Sequence, residues 1–210
     1  MKRILVTLIV SLSLLSACNN SGGDNKVRIG VFMSLTGTTA NFGISSVNGI
    51  KMAADEVNNA GGINGKQIEL LVQDDRSDAS EAATIVTKFV TQDQVHAILG
   101  EVASSRSIAA APIAQNAHVP MLTPSSTNPE VTKKGDYIFR SCFIDPVQGA
   151  AIAQFAAKSL GAKTAAIMVD RKNDYSTGLE KVINETFTKM GGKILPCSRI
   201  RKAIRISTRS

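Results

Sequence analysis

The chain reads as an α/β protein with a parallel sheet covered by helices on both faces, and three observations point there. From Val27 onward, short apolar runs alternate with segments whose apolar residues recur at helical spacing. Two of the runs, 95–99 and 119–122, are short, apolar and bounded by Gly or Pro, the pattern of buried strands. Hydrophobic residues make up 43% of the 210, enough for a core in one large domain or two small ones.

The elements follow in order. Residues 27–33 form the first strand. Val47, Ile50, Ala54 and Val57 mark a helix stopped by Gly61-Gly62, and 68–72 is a second strand. Asp78 followed by Glu81 makes a capping box for a helix whose buried stripe is Ala82, Ile85, Val86 and Phe89. Residues 95–99 are a third strand, a helix starts near Ser104, and 119–122 are a fourth strand. Pro112 within that helix should kink or shorten it, because proline lacks the N–H and its ring crowds the preceding turn. Residues 137–144 are extended and lead the chain out of the first sheet, with Cys142 as a small core residue. A helix then begins with Asp145 as cap, Pro146 at its first position and Gln148 at its third. Ile152, Phe155 and Leu160 give its apolar face, and Gly161 ends it. Residues 164–169 form another buried strand, Leu179, Val182, Ile183, Phe187 and Met190 mark a helix closed by Gly191-Gly192, and a strand starts at 193–195. The alternation stops there, so a second sheet covered on both faces looks unfinished.

The formal net charge of +7 invites a nucleic-acid reading, which its distribution removes. Lys2 and Arg3 lie at one end, Arg199, Arg201, Lys202, Arg205 and Arg209 at the other, and between them the basic residues equal the acidic ones in number. A neutral body offers no basic face to a phosphate backbone, so no nucleic-acid partner is expected.

The N-terminus reads as an export signal. Met1-Lys2-Arg3 is the charged segment, 4–15 the apolar one, and small residues precede Cys18. The apolar stretch is short for a membrane span. Leu15-Ser16-Ala17-Cys18 resembles the lipobox of bacterial lipoproteins. That resemblance implies removal of residues 1–17, lipidation of Cys18 and a periplasmic or cell-surface chain anchored to a membrane through the lipid. Residues 18–26 then serve as a flexible tether. No CxxC pair, disulfide framework or zinc spacing appears.

Two loops carry the candidate binding chemistry. Gly100-Glu101-Val102-Ala103-Ser104-Ser105 and Thr123-Pro124-Ser125-Ser126-Thr127-Asn128-Pro129 each follow a short apolar run and are rich in small hydroxyl residues. In an open α/β sheet, ligands sit beyond the carboxyl ends of such strands. A helix starting near Ser104 would face that crevice with its unpaired N–H groups and the positive end of its dipole, which suits an α-carboxylate. Either loop alone reads as readily as a set of N-caps and turn formers.

Catalytic patterns are missing. Gly65-Lys66 lacks P-loop spacing, and Gln67 stands where Ser or Thr is needed. There is no GxGxxG after the first strand and no GxSxG. His96 and His118 have no ligand partners nearby in sequence, and Asp74, Asp75 and Asp78 read as a solvated loop plus a helix cap rather than a cation site. Neither enzymatic activity nor a cofactor or metal is expected.

Taken in order, Ile29-Gly30-Val31, Ser34-Leu35-Thr36-Gly37, Asn41-Phe42-Gly43, Gly61-Gly62-Ile63-Asn64-Gly65, Asp74-Asp75, the 120–129 run and Asp174-Tyr175-Ser176-Thr177-Gly178 resemble the amino-terminal half of the leucine/isoleucine/valine-binding (branched-chain amino acid) proteins of ABC transporters. The likeness runs over residues 27–195. It implies a two-lobed, hinged, type 1 periplasmic-binding fold, with the first lobe at 27–142 and a partial second lobe at 143–195. Such a protein delivers an amino acid or similar small solute to ABC permease subunits in the membrane. The resemblance also implies roles: Ser104 donates to the ligand's α-carboxylate, Ser125 and Thr127 hold the carboxylate and ammonium, and Phe42 and Tyr175 wall the side-chain pocket from the two lobes. The local chemistry agrees, with neutral donors, carbonyls and aromatic surface where each is needed. Two departures stand out: Ser77 and Ala103 occupy positions where well-known members carry a disulfide, and the second-lobe acidic residue that usually meets the ammonium lies beyond this chain's end. A sensory domain that binds without transport would use the same cleft, and an exported α/β hydrolase would need a nucleophile and base near Ser104 or Ser125.

Residues 196–210 read as an aberrant basic tail. From Cys197 onward there are five basic residues and no acidic one, without a turn or cap signal. A back-translation allowed by the genetic code, read one nucleotide earlier, encodes a segment resembling what the family carries after its second-lobe strand. The expectation is a frameshift and a truncated, poorly functional second lobe, with a natural basic tail as the alternative.

Overall fold

The computed structural model describes residues 26–196. Cys18, the signal segment, nearly all of the tether and all but the first residue of the basic tail lie outside them. The order is β1 (Lys26–Met33), α1 (Ala40–Asn59), β2 (Gln67–Asp74), α2 (Ala79–Thr91), β3 (Ala97–Leu99), α3 (Ser104–Asn116), β4 (Met121–Thr123), β5 (Ile138–Arg140), α4 (Asp145–Gln154), β6 (Thr164–Ala166), α5 (Asp174–Lys189) and β7 (Lys193–Leu195). A 3₁₀ turn at Thr132–Lys134 precedes β5, and a π turn at Phe155–Ser159 extends α4. No helix among the described residues is long and apolar enough to cross a membrane.

Parallel strands need long crossovers, and the expected alternation of strand and helix supplies them. Strands β2-β1-β3-β4-β5 form one wholly parallel sheet, and β6 and β7 pair in parallel as a second. Alternation along β1 sorts the core between two faces. Phe32 packs with Val86, Phe89, Ile98, Ala110 and Met121 beneath α2 and α3, whereas Val31 and Met33 meet Val47 of α1. Leu122 and Phe139, paired across β4 and β5, lie on the α1 face beyond the reach of that helix and are 37% and 50% exposed.

Local signals account for most element ends. Helix α1 stops before Gly61 and Gly62, whose φ of +102° and +78° glycine adopts without a Cβ clash. The Asp78 carboxylate accepts the Ser80 and Glu81 N–H groups at 2.8 and 3.0 Å and so caps α2. Glu81 does not close the box; it pairs with Arg76 at 3.3 Å. Strand β3 covers only Ala97–Leu99 of the expected 95–99, and β4 runs Met121–Thr123, starting two residues later than the expected 119–122 and ending one later.

Several expectations need correction. Pro112 does not shorten α3, which runs on to Asn116; it lies on the exposed side, where solvent can meet the carbonyl that its missing N–H frees. Only Ile138–Arg140 of 137–144 is strand, and it stays in the first sheet beside β4. The bend comes after it, so Cys142 is half-buried on the way out of the sheet rather than in the core, and partial burial pushes its thiol pKa up. Asp145 is the first residue of α4 with Ile144 in the cap position, and no side chain caps that helix. Ile152, Phe155 and Leu160 are 42%, 58% and 66% exposed, so they do not form a buried face. Helix α4 packs through small residues instead: a Cβ on Gly149 would lie 2.8 Å from the Val182 side chain of α5. Finally, β6 spans Thr164–Ala166 and is not buried, since its sheet has one other strand among the described residues.

Candidate functional site

Strand order reverses between β1 and β3, and the loops after β1, β3 and β4 leave the same edge of the sheet. Parallel α/β sheets form their ligand crevice at such a point. Helix α3 begins there at Ser104, with Ala103 in the cap position and no side chain capping its leading N–H groups.

Hydrogen bonds stitch the loops after β3 and β4 together. Ser104 is 2% exposed, and its hydroxyl accepts the Asn128 N–H at 3.2 Å. Ser125, which is exposed, donates its hydroxyl to the Val102 carbonyl at 3.1 Å. Thr127 is buried between them, and its carbonyl accepts the Asp145 N–H at 2.9 Å. Arg140 braces this loop from β5, with Nη1 donating to the Ser126 and Asn128 carbonyls at 2.7 and 3.0 Å. The Ser104 and Ser125 hydroxyls therefore engage backbone groups and have no imidazole or carboxylate bonded to them.

Helix α5 meets the same loops from the other side. Asn173 caps it by accepting the Tyr175 and Ser176 N–H groups at 3.0 and 3.3 Å. Next to that cap, the Asp174 N–H donates to Ser105 Oγ at 2.9 Å, and Asn128 Nδ2 donates to the Asp174 carbonyl at 2.8 Å. The approach depends on Gly178, where a Cβ would stand 2.8 Å from Asn128 Nδ2 and 3.3 Å from Asp145 Oδ2. Tyr175 is half-buried on the first turn, its hydroxyl accepting from Gln148 Nε2 at 3.1 Å. Ser104, Ser125, Thr127 and Tyr175 thus belong to one connected group of segments. Phe42 does not join it: it is 68% exposed on the first turn of α1, outside both buried clusters.

Two sets of charges at this edge escaped the sequence reading. Asp145 is 1% exposed and neither carboxylate oxygen has a hydrogen-bond partner. Burial pushes its pKa up, against the pull of the nearby Thr127 hydroxyl and Arg140 guanidinium. The second set corrects the solvated-loop reading of the aspartates. Asp74 accepts the Leu35 and Arg76 N–H groups, both at 2.8 Å, and Asp78 caps α2, but Asp75 is wholly buried. It lies with Glu101 and Arg106, the Arg106 Nε being 2.9 Å from Glu101 Oε2 and 3.7 Å from Asp75 Oδ1. Burial, then the Glu101 charge, raise the Asp75 pKa to about 6, opposed by the Ser34 hydroxyl and Arg106.

Other features lead away from the crevice. His96 accepts the Arg28 N–H at 3.2 Å through Nδ1, and His118 packs edge-on against Tyr137 with ring centroids 5.2 Å apart. Among the described residues, no three His, Cys, Asp or Glu side chains are placed to hold a metal ion. A cavity of about 570 Å³ lies between α5 and β7, walled by Ile167, Arg171, Glu180, Asn184 and the 192–196 segment. Of its three charged lining residues, Arg171 and Glu180 pair with each other, Arg171 Nη2 donating to Glu180 Oε1 at 2.8 Å, and Lys193 is the third.

Known proteins share this arrangement. The pattern describing the periplasmic binding protein family matches residues 26–200. An amino acid binding protein of Pseudomonas aeruginosa is 36% identical over 168 residues, covering 80% of this chain and 45% of that protein. The crystal structure of a leucine binding protein from Thermotoga maritima superposes with a TM-score of 0.77 at 42% identity, over 83% of this chain and 48% of the other. A branched-chain amino acid transporter substrate binding protein from Streptococcus pneumoniae, solved with isoleucine, gives 0.75 at 36% identity, over 81% and 48%. The chain spans about half the length of the relatives it matches. With the family pattern matching residues 26–200 and the five-stranded parallel sheet, its flanking helices and the second parallel pair superposing on these type 1 periplasmic-binding structures, the chain belongs to the periplasmic binding protein family.

Proposed function

We propose that this chain serves as the solute-binding component of an ABC importer, holding an amino acid, branched-chain or similar, for delivery to a permease. The carrying observation is the junction of the Ser104 and Thr127 loops at the uncapped start of α3, beside the unpartnered Asp145 carboxylate. The Ser104 hydroxyl and the leading N–H groups of α3 suit an α-carboxylate, since a helix N-terminus offers unpaired donors and positive potential. Hydroxyl and carbonyl groups of Ser125 and Thr127 suit the ammonium, and the buried Asp145 lies next to Thr127, its N–H bonded to the Thr127 carbonyl. Tyr175, with Phe42 once the cleft narrows, supplies aromatic surface for an aliphatic chain. In this reading residues 27–142 form one lobe and 143–195 part of a second, and the site binds its solute without turning it over. Export, with attachment to the membrane through a lipid on Cys18, places it outside the cytoplasm.

The test is calorimetric titration with L-leucine, L-isoleucine and L-valine, on this chain and on a form extended to the length of its relatives. Thr127→Ala and Ser104→Ala are each expected to weaken binding by about 1–3 kcal/mol, the cost of leaving a charged partner short of a hydrogen bond. Thr84→Ala, on the exposed side of α2, is expected to leave binding unchanged. Equal losses at all three positions, or no binding by either form, would overturn the assignment.

A further inference from the structure

Glu101 is wholly buried between the loops of the site, and all of its acceptors are in use. Oε1 accepts the Ser34 N–H at 3.0 Å, and the Ser34 hydroxyl lies 3.1 Å away, its one proton shared with the closer Asp75 Oδ1 at 2.7 Å. Oε2 accepts the Ala103 N–H at 2.6 Å and Arg106 Nε at 2.9 Å. Its carbonyl lies within reach of three hydroxyls, Thr123 at 2.6 Å, Ser126 at 2.8 Å and Ser107 at 3.2 Å, the last two also bonded to each other at 2.7 Å. One residue therefore holds the loop after β1 through Ser34, the start of α3 through Ala103, and the loop after β4 through Thr123 and Ser126. Arg106 carries the network one step further, donating from Nη2 to Thr39 Oγ1 at 2.6 Å just ahead of α1.

We propose that Glu101 is the positioning residue of the ligand cradle, its carboxylate and carbonyl together setting the spacing between the Ser104 and Thr127 loops before any solute arrives. The inference deepens the binding assignment above and rests on it. The residue type follows from the chemistry. An ionised carboxylate is acceptor-only and can face four donors at once, whereas the amide of Gln would turn an NH₂ towards either the Ser34 or the Ala103 N–H. Hydrogen bonds to the charged form are about twice as strong as neutral ones, and Arg106 offsets the cost of burying the charge. The site is thereby stiff where it must present donors in a set geometry.

The test reads the unliganded chain by residue-resolved amide hydrogen exchange, comparing wild type with Glu101→Gln. The informative probes are the Ser126 N–H, bonded to Thr123 Oγ1 at 3.0 Å, and the Asn128 N–H, bonded to Ser104 Oγ, because neither touches the Glu101 carboxylate. Their protection is expected to fall roughly tenfold or more relative to amides of the β1 ladder. Unchanged protection there, or a fall matched throughout β1, would overturn the proposal, since the first means no positioning and the second means only general destabilisation. If Glu101→Gln does not fold, Ser126→Ala removes one hydroxyl from the Glu101 carbonyl and is expected to speed exchange at Ala103; an unaltered Ala103 amide overturns the proposal equally. Adding L-leucine to the same wild-type sample tests the binding assignment separately, because the exchange comparison is made without it.

Discussion

Replacing Asp75 by Asn is expected to flatten the stability of this chain between about pH 4 and pH 6. Asp75 is wholly buried, and burial with the Glu101 charge raises its carboxyl from 3.8 to about 6. An acid whose pKa folding raises binds its proton more tightly in the native state. The native state therefore bears no penalty below the unfolded value, loses stability as pH climbs towards 6, and stays at the lower level above it. At about 1.36 kcal/mol per pH unit, the gap amounts to about 3 kcal/mol. Asn keeps the oxygen that accepts the Ser34 hydroxyl at 2.7 Å and the Ser77 N–H at 3.0 Å, but carries no charge. Its NH₂ takes the place of Oδ2, which has no partner, and an unsatisfied donor there costs about 1–3 kcal/mol at every pH. Absolute stability at neutral pH thus moves little while the Asp75 part of the slope disappears, and the difference in slope is what the experiment reads. Urea unfolding followed by circular dichroism at about pH 4, 6 and 8 is sufficient. Wild type is expected to lose roughly 2–3 kcal/mol more than the variant across that range. Asp145, also raised by burial, adds a component of the same sign to both. Parallel profiles would refute the reasoning, because Asp75 would then titrate in the fold as it does in the unfolded chain.

Three further outcomes are expected. Gly178→Ala places a methyl 2.8 Å from Asn128 Nδ2 and is expected to lift α5 off the loop after β4, lowering urea stability by about 1–3 kcal/mol and weakening solute binding with it. Asp78→Ala removes both cap bonds of α2 and is expected to cost about 1 kcal/mol, seen as a lower melting temperature. Mass spectrometry of the membrane fraction is expected to find a mature chain starting at lipidated Cys18. Several acyl chains are expected there, since one chain at about 0.8 kcal/mol per buried CH₂ holds only marginally; an unmodified Cys18 or another start contradicts it.

The parts of the molecule legible in sequence were those governed by neighbours along the chain. The alternation of short apolar runs with helical spacing marked the strands, Asp78 marked the start of α2, and hydroxyl-rich loops marked the edge where Ser104, Ser125 and Thr127 meet. What stayed hidden depends on partners far away. Asp75 looks solvated until Ser34, Glu101 and Arg106 close over it, from 41, 26 and 31 positions along the chain. Asp145 has the residue type of a cap, yet it is the first helical residue instead, and its carboxylate is buried near Thr127 and Arg140. Ile152, Phe155 and Leu160 carry an apolar helical pattern, but the tight packing of Gly149 on Val182 decides which side of α4 is buried. Phe42 shows the reverse limit: a motif resemblance named it, and the fold leaves it exposed on the first turn of α1, joined to the Glu101 network through its N–H bond to the Thr39 carbonyl.

A crystal structure of the chain, or of its extended form, grown with L-isoleucine tests the central claim most directly. The account predicts the ligand at the start of α3, its carboxylate within hydrogen-bond distance of Ser104 Oγ and its ammonium towards Thr127 and Asp145. A ligand lodged instead in the cavity between α5 and β7, or an empty crevice at saturating L-leucine, L-isoleucine and L-valine, would contradict it.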